Sequence, residues 1–164
     1  MAANQLNEPR VLVADDDPSI RQLVCTIVKR EGFSVDCAAD GVEAIEYLGR
    51  HDYTVILLDL MMPRLDGFGV IQWLKQHQPE DKPVVLVITA YADQKFKEVD
   101  PEIVAGVIRK PFEIADLGNL VRLCVSGFDN EVAAQHLYLK TGDPAIRELM
   151  RQRLWALPNG PEQN

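Results

Sequence analysis

Short apolar runs alternate with amphipathic segments along most of this 164-residue chain, and this alternation constrains the fold more than any other feature. The runs are rich in valine, isoleucine and leucine, which is typical of strands buried on both faces of a parallel sheet. We predict β-strands at residues 10–14, 33–39, 55–58, 84–88 and 103–108. Most intervening segments carry apolar residues at helical spacings of three and four. The pattern predicts an α/β fold with right-handed crossovers, in which a doubly wound, five-stranded parallel sheet is covered by helices on both faces.

Length and composition limit the classes of function. A chain of this length suggests one domain with a small appendage. The formal net charge of −8 disfavours a nucleic-acid binder, which usually presents a basic face. The N-terminal segment has no apolar signal core, and no apolar run is long enough to span a membrane, so we expect a cytoplasmic protein without membrane contact. Cys25, Cys37 and Cys124 show no metal-binding spacing, and we expect them to be buried, reduced thiols.

Polar side chains follow four of the predicted strands. Asp15 and Asp16 follow the first strand, Asp59 the third, Thr89 the fourth and Lys110 the fifth. In a parallel sheet these positions share one edge, which is where open α/β sheets bind ligands. Three carboxylates held together disfavour joint ionisation, so the cluster needs a cation. Hard oxygen ligands without cysteine or histidine favour Mg²⁺.

This set of residues suits phosphoryl transfer. A carboxylate such as Asp59 can act as a nucleophile and form an aspartyl phosphate. The transfer needs alignment and neutralisation of the phosphoryl oxygens by a metal, a cation and a hydroxyl group, which Lys110 and Thr89 could supply with Mg²⁺. Taken singly, each residue has an ordinary structural explanation, such as a helix cap or a surface cation. Their joint placement after four different strands favours the functional interpretation.

Four segments resemble the signature segments of response-regulator receiver domains of two-component signalling. They are VLVADDDPSIR, VILLDLMMPRLDGF, VITA and RKPF, in the family's order and spacing. The resemblance covers about residues 9–127, and we therefore predict a receiver domain at 1–127 and a separate extension at 128–164. It implies a flavodoxin-like, chemotaxis-regulator-like fold with the strand order 2-1-3-4-5.

The resemblance also implies individual roles. Asp59 matches the phosphoacceptor, Asp16 a direct metal ligand, and Asp15 a ligand that acts partly through water. The backbone carbonyl of Met61 would complete the protein ligands of Mg²⁺, together with Asp59.

Two further residues match the groups that contact the phosphoryl oxygens in the family. Thr89 matches the switch hydroxyl and Lys110 the phosphate-contacting lysine. The Lys110–Pro111 peptide would be cis, a form that only proline makes accessible at low cost.

Two departures from the family pattern concern the output of the switch. Val107 stands three residues before the lysine, where receivers usually carry an inward-turning aromatic residue. The polar segment 92–100, followed by Pro101, replaces a clear fourth helix, so we expect that helix to be short or mobile. Both features would alter the usual signalling face.

Residues 128–164 lie beyond the receiver pattern. Their apolar spacing predicts short helices, with a break at Thr141–Gly142 and a flexible tail from Pro158. These helices could pack on the receiver, form a homodimer or dock a partner, and the sequence leaves all three open.

We therefore expect a phosphorylation switch that receives its phosphoryl group from a sensor histidine kinase or a histidine phosphotransfer protein and acts on an unidentified protein. It would be a signalling phosphoacceptor, with only its own phosphotransfer and slow autodephosphorylation as chemistry. A degenerate receiver that acts without phosphorylation is one alternative. An Asp-nucleophile phosphatase is less favoured, because Met61 replaces the acid that such enzymes need. A nucleotide- or flavin-binding domain lacks its Gly-rich loop here.

Overall fold

A computed structural model describes residues 8–77, 83–91 and 98–125 of the chain. The strands are β1 (Arg10–Ala14), β2 (Ser34–Ala38), β3 (Val55–Leu58), β4 (Val84–Thr89) and β5 (Val104–Arg109). The helices are α1 (Pro18–Arg30), α2 (Gly41–Leu48), α3 (Gly67–His77) and α4 (Ile114–Val125). All strand pairs are parallel, in the order β2-β1-β3-β4-β5. The predicted α/β fold and strand order are confirmed.

Alternate strand residues bury their side chains on opposite faces of the sheet, because successive side chains of a strand point to opposite sides. Val11 and Leu57 pack in one apolar cluster with residues of α1 and α4. Leu12 and Ile56 pack in a second cluster with residues of α2 and α3. Every residue of β3 is buried, as its continuous apolar run predicted. The two clusters cover the two faces of the sheet, and the loops after the strands surround its carboxyl edge.

Local sequence signals mark both ends of α1, the helix that begins beside the carboxyl edge of the sheet. The Asp17 carboxylate accepts hydrogen bonds from the N–H groups of Ser19 and Ile20, and Pro18 occupies the first turn of α1. Gly32 follows the helix with φ +90°, a conformation that glycine adopts without a steric penalty. Local interactions therefore define both ends of α1.

The expectation of three reduced thiols is wrong for two of the cysteines. Cys25 in α1 and Cys37 in β2 form a disulfide, with their Cα atoms 6.8 Å apart. The sequence did not indicate this pair because α1 packs against β2 only in the folded domain. Cys124 is buried and lies outside the disulfide.

Thiol counting tests the disulfide. Protein purified without reductant and alkylated in denaturant should be modified at Cys124 alone, whereas prior reduction should expose Cys25 and Cys37 as well. Mass spectrometry reads the number of alkyl groups. Alkylation at all three cysteines before reduction would contradict the disulfide.

Some of the predictions concern residues outside those that the structure describes. They include most of the polar segment 92–100, expected to form a short or mobile helix, and the extension at 128–164. Among the described residues, no helix is both long and apolar enough to cross a bilayer.

Candidate functional site

The sheet brings the predicted site residues to one edge. Asp15 follows β1, Asp59 follows β3 and Lys110 follows β5, while Thr89 is the last residue of β4. Backbone hydrogen bonds continue past the strand ends. Asp59 N–H donates to the Ala14 carbonyl at 2.9 Å, and Lys110 N–H donates to the Thr89 carbonyl at 3.0 Å. These bonds fix the backbone from which the functional side chains project.

Three carboxylates meet at this edge, as predicted. Asp15, Asp16 and Asp59 each offer an oxygen, and these oxygens lie within 4.8 Å of one another. Asp15 and Asp59 are buried, whereas Asp16 is exposed. A metal ion bound here would be open to solvent beside Asp16 and would be held by the two buried acids.

Lys110 bridges the two buried acids. Its Nζ lies 2.7 Å from Asp15 Oδ2 and 3.0 Å from Asp59 Oδ2. Burial of the ammonium lowers the pKa of Lys110, but the hydrogen bonds to Asp15 and Asp59 outweigh that effect and the net pKa is raised. Lys110 therefore stays protonated at neutral pH.

Burial dominates the titration of Asp59. It raises the pKa of the Asp59 carboxyl, and the nearby Asp15 charge adds to the rise, although Lys110 and the Met61 N–H act in the opposite direction. The net pKa lies above that of an ordinary aspartate. Three carboxylates, two of them paired with one lysine, leave the cluster formally negative, and their oxygens are the ligands that Mg²⁺ prefers. The described residues thus fit a divalent cation.

Two of the predicted site residues, Thr89 and Met61, have no carboxylate. Thr89 is completely buried, and its Oγ1 accepts a hydrogen bond from Tyr91 N–H at 3.2 Å. Met61 N–H donates to Asp59 Oδ1 at 3.2 Å, while the Met61 side chain is 48% exposed. The Lys110–Pro111 peptide is cis, as the resemblance implied.

Sequence reasoning missed Arg21, which supports the acid pair. Its Nη1 donates to the Asp15 carbonyl at 2.7 Å and to the Asp16 carbonyl at 3.4 Å. A cation near a helix N-terminus opposes the helix dipole, so its position near the start of α1 was a signal that it needs a specific partner. Arg21 fixes the backbone of the loop that carries both acids.

Comparison with known proteins points to one family. The family model of the response regulator receiver domain matches residues 11–122. The response regulator MprA of Mycobacterium leprae is 33% identical over 157 residues, which cover 89% of this chain and 65% of that protein. A probable transcriptional regulator, ycf27, of Porphyridium aerugineum is 34% identical over 133 residues, which cover 80% of this chain and 54% of that protein. The matched part therefore spans less than two thirds of either relative.

Solved structures show the same architecture. The receiver domain of the Francisella response regulator 1452 superposes with a TM-score of 0.64 at 31% identity, covering 72% of this chain and 97% of that domain. The response regulator TrrA of Thermotoga maritima, solved in complex with Mg²⁺ and BeF, superposes with a TM-score of 0.63 at 26% identity, covering 71% of this chain and 98% of that protein.

Proposed function

The chain belongs to the response regulator receiver domain family, and on that basis we propose that it accepts a phosphoryl group on Asp59 from a histidine kinase or a histidine phosphotransfer protein. One observation carries the proposal. Lys110 Nζ lies within 3.0 Å of the carboxylates of both Asp15 and Asp59, at the point where Asp16 completes a cluster of three acids. A nucleophile, a cation and a set of metal ligands therefore share one pocket.

The chemistry follows from these contacts. An Asp59 oxygen attacks phosphorus and forms an O–P bond while the P–N bond of the donor phosphohistidine breaks, leaving its electron pair on the imidazole nitrogen. Lys110, already at hydrogen-bond distance from Asp59, is placed to turn to a phosphoryl oxygen. The Thr89 hydroxyl, at the end of the neighbouring strand, is placed to donate to another.

We assign Mg²⁺ to Asp15, Asp16 and Asp59, with the Met61 carbonyl as a fourth protein ligand. The cation would neutralise phosphoryl oxygens while the protein aligns them. Of the two acids after β1, the exposed Asp16 is assigned direct coordination. The buried Asp15, which already accepts hydrogen bonds from Asp17 N–H and Lys110, is assigned contact through water.

We propose that the domain signals to a protein partner from the cytoplasm. The formal net charge of −8 disfavours contact with nucleic-acid phosphates. The relatives named as regulators extend beyond the matched part, so the activity of their whole chains is not carried over. The chain acts as a phosphoacceptor whose own chemistry is limited to phosphotransfer and slow autodephosphorylation.

A second candidate, a receiver that acts without phosphorylation, draws support from Val107. This side chain is 1% exposed and packs in the cluster beneath α2 and α3. Valine has no ring that could swing inward when Thr89 moves, so the usual readout through an aromatic side chain has no counterpart at this position.

Incubation with acetyl phosphate and Mg²⁺, followed by intact-mass measurement, separates the two candidates. If the chain accepts a phosphoryl group, its mass should increase by one phosphoryl group, and EDTA should prevent this increase. An unchanged mass under conditions that saturate Mg²⁺ would favour the phosphorylation-independent role.

We expect a slow loss of the phosphoryl group, because Met61 and Tyr91 are bulky and stand two residues after Asp59 and Thr89. Both are 48% exposed at the rim of the pocket, and neither has an acid or amide that could orient water. Met61→Asn should shorten the phosphoryl half-life by roughly tenfold, equivalent to about 1.4 kcal/mol of activation free energy. Met61→Leu, which keeps the bulk, should leave the half-life near that of the wild type. Equal half-lives for the Asn variant and the wild type would contradict this explanation.

A further inference from the structure

The loop between β3 and α3 contains a strained turn. Arg64 has φ +62°, a left-handed conformation that is uncommon for a residue with a side chain. Leu65 N–H donates to the Pro63 carbonyl at 2.8 Å, which closes a three-residue γ-turn around Arg64. A γ-turn with positive φ at its centre is rare and strained. Such strain persists only where surrounding contacts hold it, so the structure must supply a restraint.

The Arg64 side chain provides that restraint. Its Nε and Nη2 lie 2.7 and 2.6 Å from Asp40 Oδ2. The Asp40 side chain is only 10% exposed, and its Oδ1 also accepts a hydrogen bond from Glu43 N–H as the N-cap of α2. Burial raises the pKa of the Asp40 carboxyl, but hydrogen bonds from Glu43 N–H and Arg64 outweigh it, and the net pKa is lowered. Asp40 is therefore a fixed, charged anchor.

Backbone contacts bring the loop and the start of α2 as close as they can approach. Gly41 N–H donates to the Leu65 carbonyl at 2.9 Å, and a Cβ on Gly41 would lie 2.3 Å from that oxygen. Gly67 N–H donates to the Leu60 carbonyl at 2.9 Å, a bond that joins the two ends of the loop. The loop is thus held at both ends, and Asp40 restrains its middle.

The same loop reaches the phosphoacceptor. It follows Asp59 directly, and Met61 N–H, three residues before Arg64, hydrogen-bonds Asp59 Oδ1. A shift of the turn would therefore move the Met61 backbone and the carboxylate that it orients. Arg64 is 62% exposed, so solvent screens its ion pair with Asp40 and reduces the contribution of the pair to stability.

We propose that Asp40 and Arg64, termed here the loop clamp, are positioning residues that hold the β3–α3 loop in the geometry required for metal binding at Asp59. The inference rests on the proposed function, because it concerns the same metal and phosphoryl site. Arg64 does not touch the reacting atoms. Its role is to keep a strained backbone in the conformation that places the Met61 carbonyl and N–H beside Asp59.

Two substitutions at position 64 separate the effect of the strained backbone from the effect of the ion pair with Asp40. Arg64→Ala removes the ion pair and leaves the strain, so Mg²⁺ affinity and the rate of phosphoryl uptake should each fall by roughly five- to tenfold. Arg64→Gly also removes the pair, but glycine adopts positive φ without penalty, so its Mg²⁺ affinity should lie between those of the Ala variant and the wild type. Calorimetric Mg²⁺ titration gives affinity without depending on phosphorylation.

Substitution of the anchor completes the test. Asp40→Asn keeps the helix cap but removes the charge, and it should weaken Mg²⁺ binding in the wild type more than in the Arg64→Ala background. Lys75→Ala is the control, because it breaks a different ion pair. Lys75 lies on α3, and its Nζ is 2.6 Å from an Asp100 oxygen. This substitution should leave Mg²⁺ affinity unchanged. Urea unfolding of each variant confirms that it is folded.

The possible results discriminate clearly. Mg²⁺ affinity that falls in the order wild type, Arg64→Gly, Arg64→Ala supports the clamp. Wild-type Mg²⁺ affinity in Arg64→Ala, or an Arg64→Gly variant no better than Arg64→Ala, would overturn it. If the wild type binds Mg²⁺ but takes up no phosphoryl group, the proposed function fails while the Mg²⁺ titration still tests the clamp.

Discussion

Asp59→Asn should reduce phosphoryl uptake from acetyl phosphate to background. The amide keeps the size of the side chain but is not a nucleophile toward phosphorus, so the expected loss of rate is on the order of a thousandfold or more. The fold should survive, because burial already raises the pKa of the Asp59 carboxyl and the Lys110–Asp15 contact remains. Intact mass after incubation with acetyl phosphate and Mg²⁺ measures the effect.

Asp17→Asn is the matched control for this substitution. Asp17 is a neighbour of the acid pair in sequence, but it caps α1 and is not one of the three clustered carboxylates. Asparagine caps helices as well as aspartate does, so phosphoryl uptake should be preserved. Uptake by the Asp59→Asn variant at a rate similar to the Asp17→Asn control would mean that another residue is the acceptor.

Lys110→Met should produce the second large effect, on both stability and chemistry. The substitution leaves Asp15 and Asp59 buried without the ammonium that bridges them. Removing one partner of a buried ion pair typically costs about 3 kcal/mol or more of unfolding free energy. Removing one donor to the reacting oxygens should also slow phosphoryl uptake by about a hundredfold. Urea unfolding without metal measures the first effect and intact-mass kinetics the second.

Magnesium provides an internal check on the Lys110→Met variant. A cation in the pocket replaces part of the missing positive charge, so Mg²⁺ should stabilise the variant more than it stabilises the wild type. Lys75→Met, which disrupts an ion pair formed by an exposed lysine, should change the unfolding free energy far less than Lys110→Met does. A Lys110→Met variant as stable as wild type in EDTA would contradict the close contact between Lys110 and the two acids.

Much of the fold and the site could be predicted because both follow short-range rules. Apolar runs marked the strands, and polar residues after four of the five runs marked the carboxyl edge of the sheet. A parallel sheet then brings Asp15, Asp59, Thr89 and Lys110 together whatever the loops do. The strand order was not derivable from these runs and came from the resemblance to receiver domains.

The remaining features depend on contacts between distant segments. The Cys25–Cys37 disulfide requires α1 to pack on β2, and no spacing rule indicates that packing. The positive φ of Arg64 was hidden because the sequence there has no glycine, the usual signal for that conformation. Its contact with Asp40 joins residues 24 positions apart through a long, flexible side chain. Such interactions are decided by tertiary structure and leave no local pattern.

Chemical trapping tests the central claim most directly. After incubation with acetyl phosphate and Mg²⁺, borohydride reduces an aspartyl phosphate to homoserine, and peptide mass spectrometry locates the converted residue. We predict conversion at position 59 alone, dependent on Mg²⁺ and absent from the Asp59→Asn variant. Conversion at another aspartate, or none in protein that binds Mg²⁺ normally, would contradict the assignment of Asp59 as the phosphoacceptor.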